Sequence, residues 1–171
     1  MARENLRAWG AAAAVHLGAV GRSDRALGRT SMSGYPTTWD GLANTGGGHV
    51  RWNAPDGTVP ALAFDRIVED ALALAPARSG IRLLKLDCEG SEWPILFTSR
   101  RLDAMEAIVG EYHELARDDP DRFETAREWD CTGRTLGAFL RGAGFDVEVS
   151  ASNAARLGRF AARRAGRKAA A

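Results

Sequence analysis

The sequence predicts an α/β protein with a mostly parallel sheet. Two observations support this class. Short apolar segments alternate with segments of helical periodicity along much of the 171-residue chain, a pattern typical of parallel sheets with crossover helices. Two of the apolar segments also run directly into charged residues, as do strands whose ends line a ligand crevice. A chain of this length builds one domain around a single core.

Composition and charge favour a soluble globular protein. The chain is 45% hydrophobic and 26% charged, as ordinary folded domains are. Its 23 Lys and Arg against 22 Asp and Glu leave a net charge of +1, so no basic field attracts nucleic acid or anionic lipid. No apolar run reaches the roughly 18–20 residues that span a bilayer. We therefore expect neither nucleic acid nor membrane as a partner.

The two cysteines indicate the compartment. Cys88 and Cys131 are far apart in the sequence and show no CxxC spacing, which suits free structural thiols in a reducing environment better than a disulfide framework. We expect a cytoplasmic protein.

The first third of the chain predicts a helix end, a strand and a long loop. "RENLRAWG" at 3–10 resembles the last turns of a helix, and "AVHLGAVG" at 14–21 predicts a strand. Residues 28–57 are rich in glycine and turn residues, which predicts a long loop. Within it, "HVRW" at 49–52 is expected to pair with "TVPALAF" at 58–64 across the intervening turn.

The rest of the chain predicts alternating helices and strands. The helices are "DRIVEDALALA" at 65–75 with Asp65 as N-cap, "SEWPILF" at 91–97, and a helix that starts from Thr132 and ends on Gly142 or Gly144. The strands are "IRLLKLD" at 81–87, "AIVGEYH" at 107–113, "FDVEVS" at 145–150, and "LGRFAARR" at 157–164, the last expected at a sheet edge.

Charged residues follow two of these strands. Asp87 and Glu89 lie two residues apart, as do Glu111 and His113, so each pair shares a face of an extended strand. If the two strands are neighbours, the four side chains converge on one rim. Close carboxylates repel, which raises the pKa of one of them and equips it as a base, or they share a cation.

Two of the rim residues have a structural interpretation as well. Glu92 is expected to charge the first turn of the helix "SEWPILF", where the helix dipole favours a carboxylate. His113 alone is a satisfied core or rim histidine about as often as a functional one.

"LLKLDCEGSEWPIL" at 83–96, followed by "AIVGEYH", resembles the FkbM family of S-adenosylmethionine-dependent methyltransferases, whose motif is Leu-Lys-Ile-Asp-x-Glu-Gly-x-Glu. "NLRAWGAAAAVHLGAVG" is similar to that family's helix and third strand, "NTGGGHV" to its glycine-rich insert, and "LGRFAARR" to its closing strand. The match covers residues 3–164. It divides the chain into a partial methyltransferase domain at 1–164 and a disordered basic tail at 165–171.

The resemblance implies a Rossmann-like sheet, S-adenosyl-L-methionine as cofactor and O-methylation of a hydroxyl on a small molecule or sugar. The cofactor's adenine edge would lie near Ala19, Val20 and Gly21. Because methyl transfer needs positioning and a base for the hydroxyl proton, Asp87 is the candidate base, with Glu89 tuning it. His113, oriented by Glu111, is the alternative base. Asp87 and Glu89 would suit Mg²⁺, but no metal is predicted.

The family's first strand with its glycine-rich loop, and the acid that ends its second strand, have no counterpart here. We therefore expect the sheet to lack the first βαβ unit, and the glycines at 46–48 do not replace the loop because they precede no clear helix. The alternative is a non-catalytic remnant or interaction domain of the same fold, which exposes the apolar side of its first strand and so favours dimerisation or docking on a partner. A metal hydrolase that uses the Asp, Glu and His cluster is a third hypothesis.

Overall fold

The structure, a computed structural model, describes residues 13–33, 38–39, 42–43, 49–77, 80–116, 123–153 and 156–166. Its strands are β1 (Ala19–Gly21), β2 (Ser31–Ser33), β3 (Thr38–Trp39), β4 (Leu42–Ala43), β5 (His49–Arg51), β6 (Ala61–Ala63), β7 (Leu84–Leu86), β8 (Ala107–His113), β9 (Phe145–Val149) and β10 (Leu157–Arg164). Its helices are α1 (Phe64–Leu74), α2 (Glu92–Thr98), a 3-10 turn at Leu102–Ala104, α3 (Phe123–Glu128) and α4 (Gly133–Gly142).

The strands form a mixed sheet and a small parallel sheet. The mixed sheet has the order β7-β8-β10-β9, with β7 parallel to β8 and β10 antiparallel to both of its neighbours. β1 and β6 form a separate parallel pair, while β2 with β5 and β3 with β4 form antiparallel pairs. The predicted α/β class is confirmed at this level.

Two predicted strand placements are wrong. β10 lies between β8 and β9 instead of at an edge, because its backbone pairs with β8 on one side and with β9 on the other. β5 pairs with β2 and not with residues 58–64.

One of the two predicted N-caps is confirmed and the other is wrong. α4 begins after Thr132, whose hydroxyl accepts a hydrogen bond from the Thr135 backbone N–H at 3.3 Å, as predicted. The N-cap of α1 is Ala63, two residues before the predicted Asp65. Asp65 instead accepts hydrogen bonds from the Ser99 hydroxyl and the Arg100 backbone, at 2.6 and 3.0 Å. The predicted helix at 3–10, the glycines at 46–48 and the tail from residue 167 lie outside the described residues.

The core surrounds helix α2. Six of its seven residues are buried, and Trp93 and Leu96 are 0% exposed. Trp93 meets the ring of Tyr112 on β8 edge-on, with centroids 6.4 Å apart, and α4 contributes the fully buried Leu136 and Leu140. Helix α2 packs against β8 through Trp93 and Tyr112 and against α4 through Phe97 and Phe139, whose ring centroids are 4.3 Å apart.

Tyr112 fixes the end of β8. Its hydroxyl donates to the Ser150 carbonyl at 2.6 Å, and its ring passes beside Gly133 and Gly158, where a Cβ would lie only 2.4 and 2.3 Å from the Tyr112 atoms. Only glycine leaves room for the ring at these two positions, so the end of β8 is packed tightly between α4 and β10.

Arg22 joins the end of β1 to helix α3. Its side chain is 10% exposed and donates two hydrogen bonds each to Asp24, at 2.6 and 2.7 Å, and to Glu128, both at 2.8 Å. The guanidinium also lies 5.3 Å from the centre of the Trp129 ring. The hydrogen bonds from Arg22 hold the pKa of both carboxyls below their ordinary values.

We predict that Arg22→Gln destabilises the fold by about 1.5–3 kcal/mol near pH 7, the range for hydrogen bonds to charged groups. Since the pKa values of Asp24 and Glu128 are lower in the folded state, this contribution is complete above the unfolded values near 4 and is lost as the pH falls through the folded values. Urea unfolding at pH 7 and pH 2.5 measures it. Arg66→Gln, which removes an exposed pair with Asp70 at 3.0 Å, should change stability by less than about 1 kcal/mol. An Arg22→Gln loss of equal size at both pH values would contradict the prediction.

Candidate functional site

The candidate site lies where β7 and β8 end. These strands are parallel, with Leu86 opposite Gly110, so their carboxyl ends meet at one edge of the sheet. Beyond β7 the chain makes a tight turn at 88–91 and enters α2, whose first residue is Glu92. This path brings residues of the turn and of α2 to the last residue of β8, His113.

His113 lies between two carboxylates. Its Nδ1 is 2.8 Å from Glu92 Oε1, and its Nε2 is 3.2 Å from Glu89 Oε2. The backbone also fixes this residue, because the His113 N–H donates to Glu92 Oε1 at 2.7 Å and the Trp93 indole N–H donates to the His113 carbonyl at 2.8 Å. The orientation of the imidazole is therefore set by α2 and by the turn.

Glu92 is the buried member of the site. Its side chain is 0% exposed, and its second oxygen, Oε2, accepts from the Gly90 backbone N–H at 2.9 Å and from the Cys88 thiol at 3.6 Å. A buried carboxylate is tolerated only when its oxygens are hydrogen-bonded. The sequence interpretation as a charge on the first turn of a helix therefore missed its main role, which is to hold His113.

The turn at 88–91 carries backbone strain. Glu89 has φ of 51° and Gly90 has φ of 95°, and the Ser91 N–H closes the turn on the Cys88 carbonyl at 3.0 Å. Positive φ at both central residues is the pattern of a type I′ turn, which favours Gly, Asn and Asp. Gly90 fits this backbone without a clash, whereas a glutamate in the left-handed region costs about 1–2 kcal/mol. The conformation of Glu89 is thus stabilised by its surroundings.

The structure separates the other predicted rim residues from this group. Asp87 is 48% exposed, and its carboxylate lies 3.7 Å from Lys85 Nζ. Glu111 Oε1 lies 3.4 Å from Arg159 Nε on the neighbouring strand. Of the four residues predicted to converge, Glu89 and His113 are in contact, and Asp87 and Glu111 pair with basic side chains. Among the described residues, no group of His, Cys, Asp and Glu has the arrangement of a metal site.

The predicted adenine edge at Ala19, Val20 and Gly21 lies at the other end of α2. The Ser23 N–H, just beyond β1, donates to the Thr98 hydroxyl in the last residue of α2 at 2.7 Å, whereas Glu92 is the first. At 1.5 Å of rise per residue, the two ends are about 9 Å apart along the helix axis. The structure does not bring this edge to the side chain of His113.

Both ring nitrogens of His113 lie within reach of a carboxylate oxygen, Nδ1 of Glu92 and Nε2 of Glu89. The imidazole can exchange a proton at either nitrogen, and Nε2 is on the more exposed side of the ring. An imidazole oriented by a carboxylate on its far nitrogen is the usual arrangement for activating a hydroxyl.

Comparisons of the chain with models of protein families, with curated proteins and with solved structures find no match. No helix of the described residues is long and apolar enough to cross a membrane.

We predict that Glu92→Gln lowers the free energy of unfolding by about 1–3 kcal/mol, the cost of leaving a buried hydrogen-bonding group without a matching partner. The amide NH₂ would face donors that now bind a carboxylate oxygen. Chemical denaturation measures the change. Glu148→Gln, at an exposed position of β9, is the control and should lie within about 0.5 kcal/mol of the parent. Equal stability of Glu92→Gln and the parent would show that Glu92 is not held as described.

We also predict that both thiols react slowly in the folded protein. Burial, followed by the charge of Glu92, raises the pKa of the Cys88 thiol well above its usual range, and burial raises the pKa of Cys131 to about 12. Because the thiolate is the reactive form, an aromatic disulfide reagent at pH 8 should modify neither thiol quickly. Addition of urea should release both. Rapid modification of the native protein would contradict this prediction.

Proposed function

We propose that the chain is an S-adenosylmethionine-dependent methyltransferase that acts on a hydroxyl of a small molecule or sugar, with His113 as the base. The observation that carries the proposal is the 2.8 Å contact between His113 Nδ1 and the fully buried carboxylate of Glu92. The sequence resemblance to FkbM enzymes supplies the reaction class. The parallel β7 and β8 joined through α2 support a Rossmann-like arrangement at this edge.

The proton chemistry follows from the fixed imidazole. With Nδ1–H donating to Glu92, Nε2 accepts the proton of the acceptor hydroxyl, and the buried carboxylate stabilises the imidazolium that forms. A positioned base of this kind contributes about 10²–10⁴-fold to a rate. The oxygen that loses its proton becomes the nucleophile, to which the cofactor would supply a methyl group when bound.

The described residues at the predicted cofactor edge do not fit the adenosine group. The Trp52 indole occupies the space beside Gly21, where a Cβ would lie 2.3 Å from the ring, and Ala19 is buried. Asp24, the first acid after β1, is engaged by Arg22 on both oxygens and is not available for ribose hydroxyls. The chemistry assigned to this chain therefore stops at the proton of the acceptor.

We predict weak binding of S-adenosylmethionine, with a dissociation constant well above the micromolar range. Each missing hydrogen bond to a charged group costs about 1.5–3 kcal/mol, so two of them weaken binding by about 10²–10⁴-fold. Isothermal titration calorimetry of the purified chain measures this. Micromolar binding would show that residues other than the edge at Ala19–Gly21 bind the cofactor.

Methyl transfer itself is tested with labelled cofactor at millimolar concentration and a panel of polyhydroxyl acceptors. The rate should rise with cofactor concentration and fall at least about 100-fold in His113→Gln. His16→Gln, at an exposed histidine, is the matched control and should retain the parent rate. Absence of transfer at every concentration would refute the proposal and favour the non-catalytic interaction domain. Sedimentation velocity would detect self-association of such a domain.

A further inference from the structure

We propose that Glu89 is a proton-relay residue, placed by the strained turn at 88–91 so that its carboxylate carries the proton of His113 Nε2 to solvent. The inference rests on the proposed role of His113 as a base. It assigns Glu89 a function toward His113, whereas the sequence had suggested a function toward Asp87.

Exposure increases along the three side chains of the site. The side chain of Glu92 is 0% exposed, that of His113 is 14% exposed and that of Glu89 is 27% exposed. Glu89 Oε2 lies 3.2 Å from Nε2. A proton that arrives on Nε2 therefore has the Glu89 carboxylate as its partner on the solvent side, while Nδ1–H stays directed at buried Glu92.

The transfer balances in two steps. First the acceptor hydroxyl takes the place of Glu89 Oε2 beside Nε2, its O–H bond breaks and an N–H bond forms at Nε2. After the product leaves and Glu89 returns to Nε2, the Nε2–H bond breaks, an O–H bond forms on Glu89 Oε2, and Glu89 releases the proton to water. Each turnover returns the neutral imidazole and the carboxylate, so no other reactant is needed.

The backbone of the turn supports this assignment. Glu89 holds a positive φ of 51°, at a position where Asn, Asp or Gly would be relaxed. Asp and Asn are shorter by one methylene, about 1.5 Å, and would not reach Nε2 from the same backbone. The glutamate side chain is long enough to contact Nε2 and carries a carboxylate, but its backbone is strained at this position.

The other titratable groups around His113 have partners of their own. Cys88 donates to Glu92. Glu111 on β8 pairs with Arg159 on β10. Asp87 after β7 pairs with Lys85. Glu114, next to His113, accepts from the Gly133 N–H at 3.2 Å. Among the described residues, Glu89 is the one whose carboxylate contacts Nε2 of His113.

Histidine ring NMR tests the contact without requiring activity, since the chain has only three histidines and His113→Gln assigns the signal. Glu89→Gln should lower the titration midpoint of His113 by about one pH unit, because it removes a negative charge next to the imidazolium. Glu89→Asn should lower it equally but unfold at a higher urea concentration than Glu89→Gln, because Asn tolerates positive φ. Glu148→Gln should leave the midpoint unchanged.

The relay is tested by methyl transfer in Glu89→Gln. The rate should fall at least about tenfold and recover when a small buffer such as imidazole is added at high concentration, which a purely structural defect would not show. An unchanged His113 midpoint, equal stability of the Asn and Gln variants, or a lost rate without recovery in buffer would each overturn the inference. If Glu89→Gln keeps full activity while His113→Gln loses it, the relay fails and the proposed function stands.

Discussion

Four donors converge on the buried carboxylate of Glu92: two backbone N–H groups, one imidazole and one thiol. They come from the turn at 88–91 and from the end of β8, while Glu92 itself begins α2. An unpaired buried charge would cost several kcal/mol, so these three segments must adopt their positions together. The same requirement that stabilises the fold here also sets the orientation of His113.

Helix α2 then separates His113 from the predicted cofactor edge at Ala19–Gly21. Its first residue holds His113, and its last residue, Thr98, accepts a hydrogen bond from the Ser23 N–H just after β1. The Trp52 indole fills the space beside Gly21. The ion pairs of Arg22 with Asp24 and Glu128 tie the segment after β1 to α3. His113 and the predicted cofactor edge thus lie at opposite ends of one buried helix.

Local signals in the sequence predicted the elements whose stability is local. The helix after Thr132 and the strand at 145–149 match expectation because a cap and an alternating pattern are properties of adjacent residues. The interior place of β10 and the pairing of β5 depend on contacts between distant segments, which local patterns do not encode. The role of Glu92 was hidden for a similar reason, since a glutamate at the start of a helix has the same local pattern whether it charges a solvated first turn or is buried against a distant strand.

The interior position of β10 has a consequence for the order in which the protein is made. During synthesis, β7, α2 and β8 leave the ribosome before residues 157–164, so the strand that carries His113 lacks one neighbour until β10 pairs with it. A nascent or cleaved chain that ends before Leu157 exposes the backbone of β8 along its free edge, and such edges pair readily with other chains. Completion of the sheet by β10 therefore covers the free edge of the strand that carries His113 and protects the nascent protein from aggregation.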